Sequence, residues 1–150
     1  MARKKKNRNR VENDYSRQSF IGADFSNLDL DDADFSNCSL TGVDFSNTDL
    51  AKSNFQGASI TGSDFSNANL CGSDFHNSSL AGCNFTNSDV DGAKFNGASI
   101  TGCDFMNADV EQATGLEFLI ETTNNDQSSR NLTSVSITDT RQYVDHIYGG

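Results

Sequence analysis

The chain has 150 residues, of which 35% are hydrophobic and 21% charged, with no proline, no tryptophan and a formal net charge of −10. This length allows one domain at most, and the hydrophobic fraction lies below the roughly 45–50% usual for globular chains, which predicts either disorder or a repeat architecture. No stretch approaches 18 consecutive apolar residues and no charged start precedes an apolar segment, so we expect no membrane span, no secretory signal and a cytoplasmic protein.

The first predicted element is a basic N-terminal arm, residues 1–19. Seven lysines and arginines against two acids give residues 1–20 a net charge of +5, whereas residues 21–115 carry −12 and residues 116–150 carry −3. Such an arm suits nucleic acid, an anionic membrane surface or a negatively charged protein, and it is equally typical of a flexible solubilising tail. Direct contact with nucleic acid is expected only through this arm, whose candidate residues are Lys4, Lys5, Lys6, Arg8 and Arg10.

A five-residue repeat dominates the body of the chain. From Phe25 to Val110 every fifth residue is large and apolar. A period of five fits neither a helix nor a straight strand, so the chain must turn every five residues. The residue two before each large centre is nearly always small, with Leu28, Val43 and Thr48 as bulky exceptions. The residue two after it is usually Gly or Asn, which readily take positive φ. The pattern therefore predicts one large and one small inward side chain per repeat.

These residues resemble the pentapeptide-repeat family, whose consensus is a small residue, Asp or Asn, Leu or Phe, and two variable positions. The match runs from about Ala23 to Ala113. The resemblance implies an all-β solenoid, a right-handed quadrilateral parallel β-helix of about four and a half coils over residues 20–115, with four pentapeptides per coil. The centres then stack in four ladders of residues twenty apart: Phe25, Phe45, Phe65, Phe85 and Phe105; Phe35, Phe55, Phe75 and Phe95; Leu30, Leu50, Leu70, Val90 and Val110; Leu40, Ile60, Leu80 and Ile100.

Acidic residues mark the outward positions just before the centres. Three of the four predicted faces carry Asp there, and the fourth carries serines. The resemblance makes Asp or Asn generic at this position, bonded to the backbone. Carboxylates stacked about 5 Å apart nevertheless produce a negative field that attracts basic partners. We predict two partner-facing acidic ladders: Asp24, Asp44, Asp64 and Asp104; Asp29, Asp49, Asp89 and Asp109.

Within the family, the quinolone-resistance proteins provide a functional precedent. The resemblance to them implies an acidic rod that mimics a DNA duplex and docks onto type II topoisomerases, because spaced carboxylates offer a basic channel what phosphates offer. Those proteins are longer, commonly dimeric through a C-terminal capping element, and often bear projecting loops. This chain has no insertion in its repeats.

No catalytic, cofactor or metal site is predicted. The sequence contains no GxGxxG, P-loop or HExxH pattern, and its four cysteines lack CxxC spacing. His76 is expected to point outward without a nucleophile beside it, and Cys71 is the best candidate for a reactive thiol. An enzyme that uses either residue is the weakest hypothesis. Cys83 and Cys103 are expected as reduced core residues on adjacent coils, with a disulfide as the alternative.

The ends of a β-helix need covers, because an open end exposes core and strand edges. Phe20 is expected to begin the N-terminal cap, and residues 116–121 are predicted to form the C-terminal cap, since Gly115 stands where the next centre should be. Residues 122–150 form a polar tail with a possible short helix over 139–148. The apolar face of this helix suits a partner groove, a second copy or its own rod; its contact residues are Tyr143, Val144, Ile147 and Tyr148.

The sequence leads to two functional hypotheses. The first is a non-enzymatic protein-interaction or assembly scaffold, a rigid acidic rod with partner-binding termini that works in a larger assembly or as a homodimer. The alternative is a DNA-mimicking regulator of DNA gyrase or another nucleic-acid-binding enzyme. Neither function requires a cofactor.

Overall fold

A computed structural model describes residues 13–116 and the backbone of residues 131–132 and 136–137. In the first of these segments five short strands form one parallel sheet in chain order: β1 (Ser19–Ile21), β2 (Ser39–Thr41), β3 (Ser59–Thr61), β4 (Ser79–Ala81) and β5 (Ser99–Thr101). Each residue pairs with the one twenty positions later, as Leu40 does with Ile60. The parallel β-helix predicted from the sequence is therefore confirmed.

The other three faces of each coil are held by single bridges between equivalent residues. Asp24 pairs with Asp44, and Asp44 pairs in turn with Asp64. On these faces the backbone N–H of each centre from Phe25 to Phe95 bonds to the coil that follows, as in the 2.7 Å bond from Phe45 to the carbonyl of Asp64. Because the same bonds recur on every coil, each repeat needs only its neighbours for support.

Two columns of aromatic rings fill the interior. Within a column the rings are nearly parallel, with centroids 4.8 Å apart for Phe65 and Phe85 and 4.7 Å apart for Phe85 and Phe105. These distances match the spacing of neighbouring strands. Between the columns the rings meet edge to face, as Phe85 and Phe95 do at 81° and 6.2 Å. Both arrangements are favourable for aromatic pairs, so the rings add specificity to hydrophobic burial.

The interior contains seventeen of the eighteen predicted centres, each at most 4% exposed. Phe25 is the exception and is only partly buried, because it lies at the N-terminal end of the rod. Leu28, expected among the inward residues, is 46% exposed for the same reason, whereas Val43 and Thr48 are buried at 1%. The bulky residues at the small-residue positions are therefore exposed at the N-terminal end of the rod and buried further along it.

Coil pairing starts before the predicted boundary at residue 20. Asp14 pairs with Asp34, and the Tyr15 ring stacks on Phe35 at 4.8 Å and 10°. The physical reason is that Tyr15 occupies the centre position twenty residues before Phe35 and supplies the aromatic ring that the column needs. The described part of the arm segment therefore belongs to the first coil. Phe20 lies within β1 and meets the Tyr15 ring edge to face.

Asparagine occupies one corner of every coil in the left-handed conformation. Five asparagines twenty residues apart have φ between 57° and 61°: Asn27, Asn47, Asn67, Asn87 and Asn107. Asparagine tolerates this conformation better than most residues because its short polar side chain bonds locally. This column is therefore a structural feature of the turns.

The C-terminal end departs from the repeat at Gly115. A Cβ atom there would lie 2.5 Å from the backbone carbon of Phe95, and the φ angle is +84°, so no larger centre can follow Val110. Leu116, the first residue of the predicted C-terminal cap, is fully buried. The rest of that cap, and the predicted helix over 139–148, lie outside the described residues.

Four further short strands lie at this end: β6 (Cys103–Asp104), β7 (Ala108–Asp109), β8 (Asn131–Leu132) and β9 (Ser136–Ile137). β9 pairs antiparallel with β6, and β8 pairs antiparallel with β7. Part of the predicted polar tail thus lies along the edge of the last coil. The described residues contain no helix that is long and apolar enough to cross a membrane.

Candidate interaction surfaces

The aspartates of the acidic ladders stabilise the turns of the rod by accepting backbone hydrogen bonds. The side-chain oxygen Oδ1 of each ladder aspartate accepts a hydrogen bond from the backbone N–H two residues later, at 2.8 Å from Ser46 to Asp44 and 2.8 Å from Ser66 to Asp64. This local bond satisfies a backbone donor that the turn would otherwise leave exposed to solvent alone. The aspartates therefore have a structural role in addition to their charge.

Asparagine performs the same structural role at equivalent positions. The Oδ1 atom of Asn84 accepts the N–H of Thr86 at 2.9 Å, and Asn54 accepts the N–H of Gln56 at 2.9 Å. The turn thus needs a side-chain carbonyl oxygen and not a carboxylate. Because asparagine satisfies it, the negative charge at the aspartate positions is not required by the fold.

The eight predicted partner-facing aspartates form two adjacent faces of the rod. Six accept the bond from the residue two later at 2.8–3.2 Å, and Asp24 accepts two bonds from Ser26. Asp29 is the eighth, with a long 3.4 Å bond from Asp31. Their side chains are partly buried or exposed. None of the ten ladder positions on these two faces carries a basic residue, so the faces present an uninterrupted negative surface to a partner.

The first aspartates of the two acidic ladders, both at the N-terminal end of the rod, have pKa values that are shifted in opposite directions. Hydrogen bonds from the side chain and backbone of Ser26 hold the pKa of Asp24 below its ordinary value. Burial raises the pKa of Asp29, and the neighbouring carboxylates Asp31 and Asp49 act in the same direction. The carboxylates beside Asp29 therefore repel it, and a cationic partner group at this position would relieve that repulsion.

The β1–β5 face differs from the acidic faces because it is uncharged. Its outward positions carry serines before the centres, and Thr41, Thr61 and Thr101 after them, with Ala81 in the same column. The strands have the burial pattern of one inward side chain flanked by two outward ones. This flat face provides a natural control surface for experiments on the acidic faces.

His76 lies in a polar surface groove of about 440 Å³, lined by Asn37, Gln56, Gly57, His76 and Asn77. Its Nδ1 atom lies 2.7 Å from Asp74, and Gln56 donates to the same carboxylate at 2.9 Å. Burial raises the pKa of Asp74, but the hydrogen bonds from His76 outweigh it and leave that pKa below its ordinary value. None of the lining residues carries a hydroxyl or thiol, so the groove offers His76 no nucleophile to activate.

Cys71 is a weak nucleophile in this structure. Burial raises the pKa of its thiol to about 12, and the nearby carboxylates Asp89, Asp91 and Asp109 act in the same direction. Since the thiolate is the reactive species, a thiol with this pKa is almost entirely protonated at neutral pH. The sequence-based candidate for a reactive thiol is therefore not supported by its environment.

The remaining cysteines fill the core. Cys83 and Cys103 are at most 1% exposed, and both are free thiols. The Cys83 thiol donates to the carbonyl of Ile60 at 3.5 Å and the Cys103 thiol to that of Leu80 at 3.6 Å. The contact with Cys83, together with burial, raises the pKa of Cys103. No group of three or more metal-ligating side chains occurs among the described residues.

Several predicted contact residues cannot be placed. The basic-arm residues Lys4, Lys5, Lys6, Arg8 and Arg10 and the tail residues Tyr143, Val144, Ile147 and Tyr148 lie outside the described residues. Sequence reasoning also missed Asp14, which extends the third acid-bearing face to the first coil. Its position twenty residues before Asp34 was the available signal.

Two family models match the sequence. The model described as pentapeptide repeat region matches residues 13–85, and the model of pentapeptide repeats matches residues 73–112 with eight copies. The chain belongs to the pentapeptide-repeat family. No curated protein sequence matches it.

Solved structures of pentapeptide repeat proteins resemble this member of the family. One, from the Arabidopsis thaliana thylakoid lumen, is 27% identical with a TM-score of 0.56, and the match covers 86% of this chain and 88% of that one. HetL, described as involved in heterocyst differentiation regulation in the cyanobacterium Nostoc, is 21% identical with a TM-score of 0.41, covering 68% of this chain and 45% of HetL. QnrB1, described as a plasmid-mediated fluoroquinolone resistance protein, is 30% identical with a TM-score of 0.36, covering 67% of this chain and 51% of QnrB1. The chain therefore spans about half the length of the last two.

Proposed function

We propose that this protein is a non-enzymatic interaction module whose two adjacent acidic faces bind a basic surface of a protein partner. One observation carries the proposal: the turns need only a side-chain carbonyl oxygen, which asparagine supplies at Asn54, Asn69 and Asn84, yet aspartate occupies eight of the ten ladder positions on these faces. A charge that the fold does not need is available for binding.

The scaffold suits such a role because it is regular and rigid. Stacked aromatic columns and repeated backbone bonds fix the outward side chains at the spacing of neighbouring strands. A binding surface that is already ordered loses little conformational entropy when a partner docks. The proposal places the protein in the cytoplasm, as the sequence predicts, in a larger assembly or as a homodimer.

The decisive variant replaces the ladder aspartates by asparagine. The eightfold variant changes Asp24, Asp29, Asp44, Asp49, Asp64, Asp89, Asp104 and Asp109 to Asn, and a control variant changes Ser39, Ser59, Ser79 and Ser99 on the uncharged face to Ala. Each immobilised protein is used to capture partners from a cell lysate, which are then quantified by mass spectrometry. We expect specific partners to be retained by the wild type and the control and lost from the eightfold variant; equal recovery by all three contradicts the proposal.

A DNA-mimicking regulator of DNA gyrase or of another nucleic-acid-binding enzyme is the second candidate, and charge density favours it. Residues 21–115 carry a net charge of −12, over about 23 Å of rod at the spacing of neighbouring strands. This is about 1.9 Å per net charge, close to the roughly 1.7 Å per charge along duplex DNA. A channel that binds duplex phosphates therefore meets a similar linear charge on this rod.

The second candidate is tested with purified DNA gyrase. We expect micromolar wild-type protein to reduce the supercoiling of relaxed plasmid, and the eightfold asparagine variant to leave it unchanged. If the wild type has no effect on gyrase while the capture experiment recovers other partners through the acidic faces, the interaction module stands without gyrase as its target.

A further inference from the structure

Two large hydrophobic side chains are exposed among the residues that the structure describes, and both lie in the first coil. Ile21 is 82% and Leu28 46% accessible. The rings of Tyr15 and Phe25, which belong to the same coil, are only partly buried. Exposed apolar surface that is concentrated in one place marks an interaction site. The N-terminal end of the rod is therefore the apolar surface that a partner would cover.

The strand β1 has a backbone edge at this end. Among the described residues β1 pairs only with β2. The carbonyl of Gln18 and the N–H of Gly22 bond to β2 at 2.9 and 2.8 Å. The two groups of a trans peptide point in opposite directions, so the N–H of Ser19 and the C=O of Ile21 point away from β2. The alternation along a strand directs the C=O of Ser19 and the N–H of Ile21 the same way, and such an edge accepts a further strand.

These four groups are complementary to their own copies about a two-fold axis through Phe20. In an antiparallel pair, two residues that lie opposite each other exchange both backbone bonds, and the next pair along exchanges none. Ser19 of one copy opposite Ile21 of a second copy makes a bonded pair, and the axis repeats it on the other side of Phe20. Four backbone hydrogen bonds then join the two β1 strands, and the two Phe20 rings face each other on the core side.

The same axis continues the aromatic columns from one copy into the other. Residues whose numbers add to 40, as 19 and 21 do, lie opposite each other, so Tyr15 of one copy meets Phe25 of the second. These rings end the two columns, with Tyr15 stacked on Phe35 at 4.8 Å and Phe25 on Phe45 at 5.4 Å. Each ring therefore gains the stacked neighbour that its column lacks at this end.

The helical rise of the coil is compatible with this contact. A two-fold rotation preserves the hand of a coil, so the two end surfaces rise in the same sense and stay one strand spacing apart on three faces. On the fourth face, which carries Leu30, the separation is two strand spacings, about 10 Å. This gap leaves room for the chain that precedes Asn13.

One charge pair also favours this register. The exposed Arg17 of one copy lies opposite Ala23 of the second, and therefore beside Asp24 of that copy. Within its own copy the guanidinium of Arg17 is one of the groups that lower the pKa of Asp14. In the paired ends it lies between two carboxylates, one from each copy. Opposite charges placed in this way fix the register of an interface.

We propose that two copies of this chain associate head to head through their first coils, with β1 antiparallel to β1 of the second copy about an axis through Phe20. The contact uses the same surface on both copies, so it closes as a dimer and does not propagate. The axis maps the face of Asp29 onto itself and places this ladder of both copies on one side, which doubles the length of that acidic face. The dimer does not depend on the proposed binding of a basic partner.

The test removes one N–H that the dimer uses and the β-helix does not. Ser19→Pro in the full chain deletes the N–H that points away from β2, at an edge position where a strand tolerates proline. The control Ser19→Ala removes the side-chain hydroxyl and keeps the backbone N–H. Sedimentation velocity is measured over a range of protein concentrations, with far-ultraviolet circular dichroism to check the β-helix.

We expect the wild type and Ser19→Ala to show an equilibrium between monomer and dimer, without larger species, and Ser19→Pro to sediment as a monomer. A wild type that stays monomeric at high micromolar concentration overturns the proposal. A folded Ser19→Pro variant that dimerises as the wild type does also overturns it, because the dimer then forms through another surface.

A second experiment covers the case in which the proline prevents folding. Two single variants, Ser19→Cys and Ile21→Cys, are mixed in a Cys71→Ser background and oxidised with glutathione disulfide, which is reduced to two molecules of glutathione for each cross-link. We expect a disulfide between position 19 of one copy and position 21 of the other, mapped by mass spectrometry. A mixture of Ser19→Cys and Ser39→Cys, whose second thiol lies one coil further from the interface, should give none. Equal yields in the two mixtures, or no cross-link in either, overturn the proposal.

Discussion

Asn84 and Asp104 occupy equivalent positions on consecutive coils, and each accepts the backbone N–H of the residue two later at 2.9 Å. An amide and a carboxylate thus perform one structural task with the same geometry. The difference between them is a negative charge that points away from the core. Fold and surface charge can therefore be varied separately in this protein.

This separation predicts opposite effects of two substitutions at the same site. Asp64→Asn should leave the free energy of unfolding within about 0.5 kcal/mol of the wild type, because the amide oxygen still accepts the N–H of Ser66. Asp64→Ala should destabilise the protein by about 1 kcal/mol, because the turn loses that bond. Urea unfolding of both variants measures the difference. Equal destabilisation by Asn and Ala would show that the carboxylate itself is structural.

Removing the hydroxyl groups of two buried serines should stabilise the protein. The Oγ atoms of Ser53 and Ser73 are inaccessible to solvent and have no hydrogen-bond partner among the residues that the structure describes. Alanine already fills the same column at Ala33 and Ala93. We expect Ser53→Ala and Ser73→Ala each to stabilise the protein by about 1 kcal/mol, because an unsatisfied buried hydroxyl is removed.

Ser63 provides the matched control for these substitutions. It is equally buried, but its Oγ accepts the backbone N–H of Val43 at 3.1 Å. Ser63→Ala should therefore lower the free energy of unfolding, by about 1 kcal/mol or more. Thermal and urea unfolding of the three variants are compared, and a gain in stability for Ser63→Ala would contradict this explanation.

Gly115 should tolerate alanine far less well than Gly102. Both have positive φ, but a Cβ at Gly102 would meet nothing closer than 3.9 Å, whereas at Gly115 it would lie within 2.5–2.8 Å of backbone atoms of Phe95 and Asn96. Gly102→Ala should cost about 1 kcal/mol from backbone strain alone. Gly115→Ala should cost several times as much, because backbone atoms must move. Chemical unfolding of the two variants gives the ratio, and similar values would contradict the close approach.

The Cys71 thiol should react slowly until strongly alkaline pH. Its pKa is raised to about 12, so the thiolate fraction at pH 9 is small in the folded protein and large in the unfolded chain, whose thiols titrate near their ordinary value. We expect iodoacetamide labelling of the folded protein to rise through pH 10–12 and to be lost in Cys71→Ser. Rapid labelling at pH 8 would contradict the raised pKa.

The sequence predicted the interior of the rod because a large apolar residue recurs every five positions. Each centre between Leu30 and Val110 is buried, since every one of these coils has neighbours on both sides or a cover at the end. The same pattern did not predict the exposure of Phe25 and of Leu28, which both occupy inward positions of the repeat but lie at the N-terminal end. A repeat pattern specifies which way a side chain points, but not whether another coil covers it.

The ends required information that the repeat does not contain. The stacking of Tyr15 on Phe35 could have been found from its position twenty residues earlier. The antiparallel tail could not, because Asn131 and Ile137 lie in a polar segment without the five-residue period, and their pairing depends on the edge that the last coil offers. For the acidic faces, the sequence predicted the ladders, whereas the equivalence of Asp and Asn in the turns required the hydrogen-bond geometry.

The most direct test of the proposed function is the affinity of a captured partner for the wild type and for the eightfold asparagine variant. The dissociation constant is measured by isothermal titration calorimetry at low and physiological salt, after circular dichroism has shown that the variant keeps its fold. We predict that the variant binds at least about tenfold more weakly, and that salt weakens the wild type more than the variant because fewer charges remain to be screened. An unchanged dissociation constant with a folded variant would contradict the proposal that the acidic faces bind the partner.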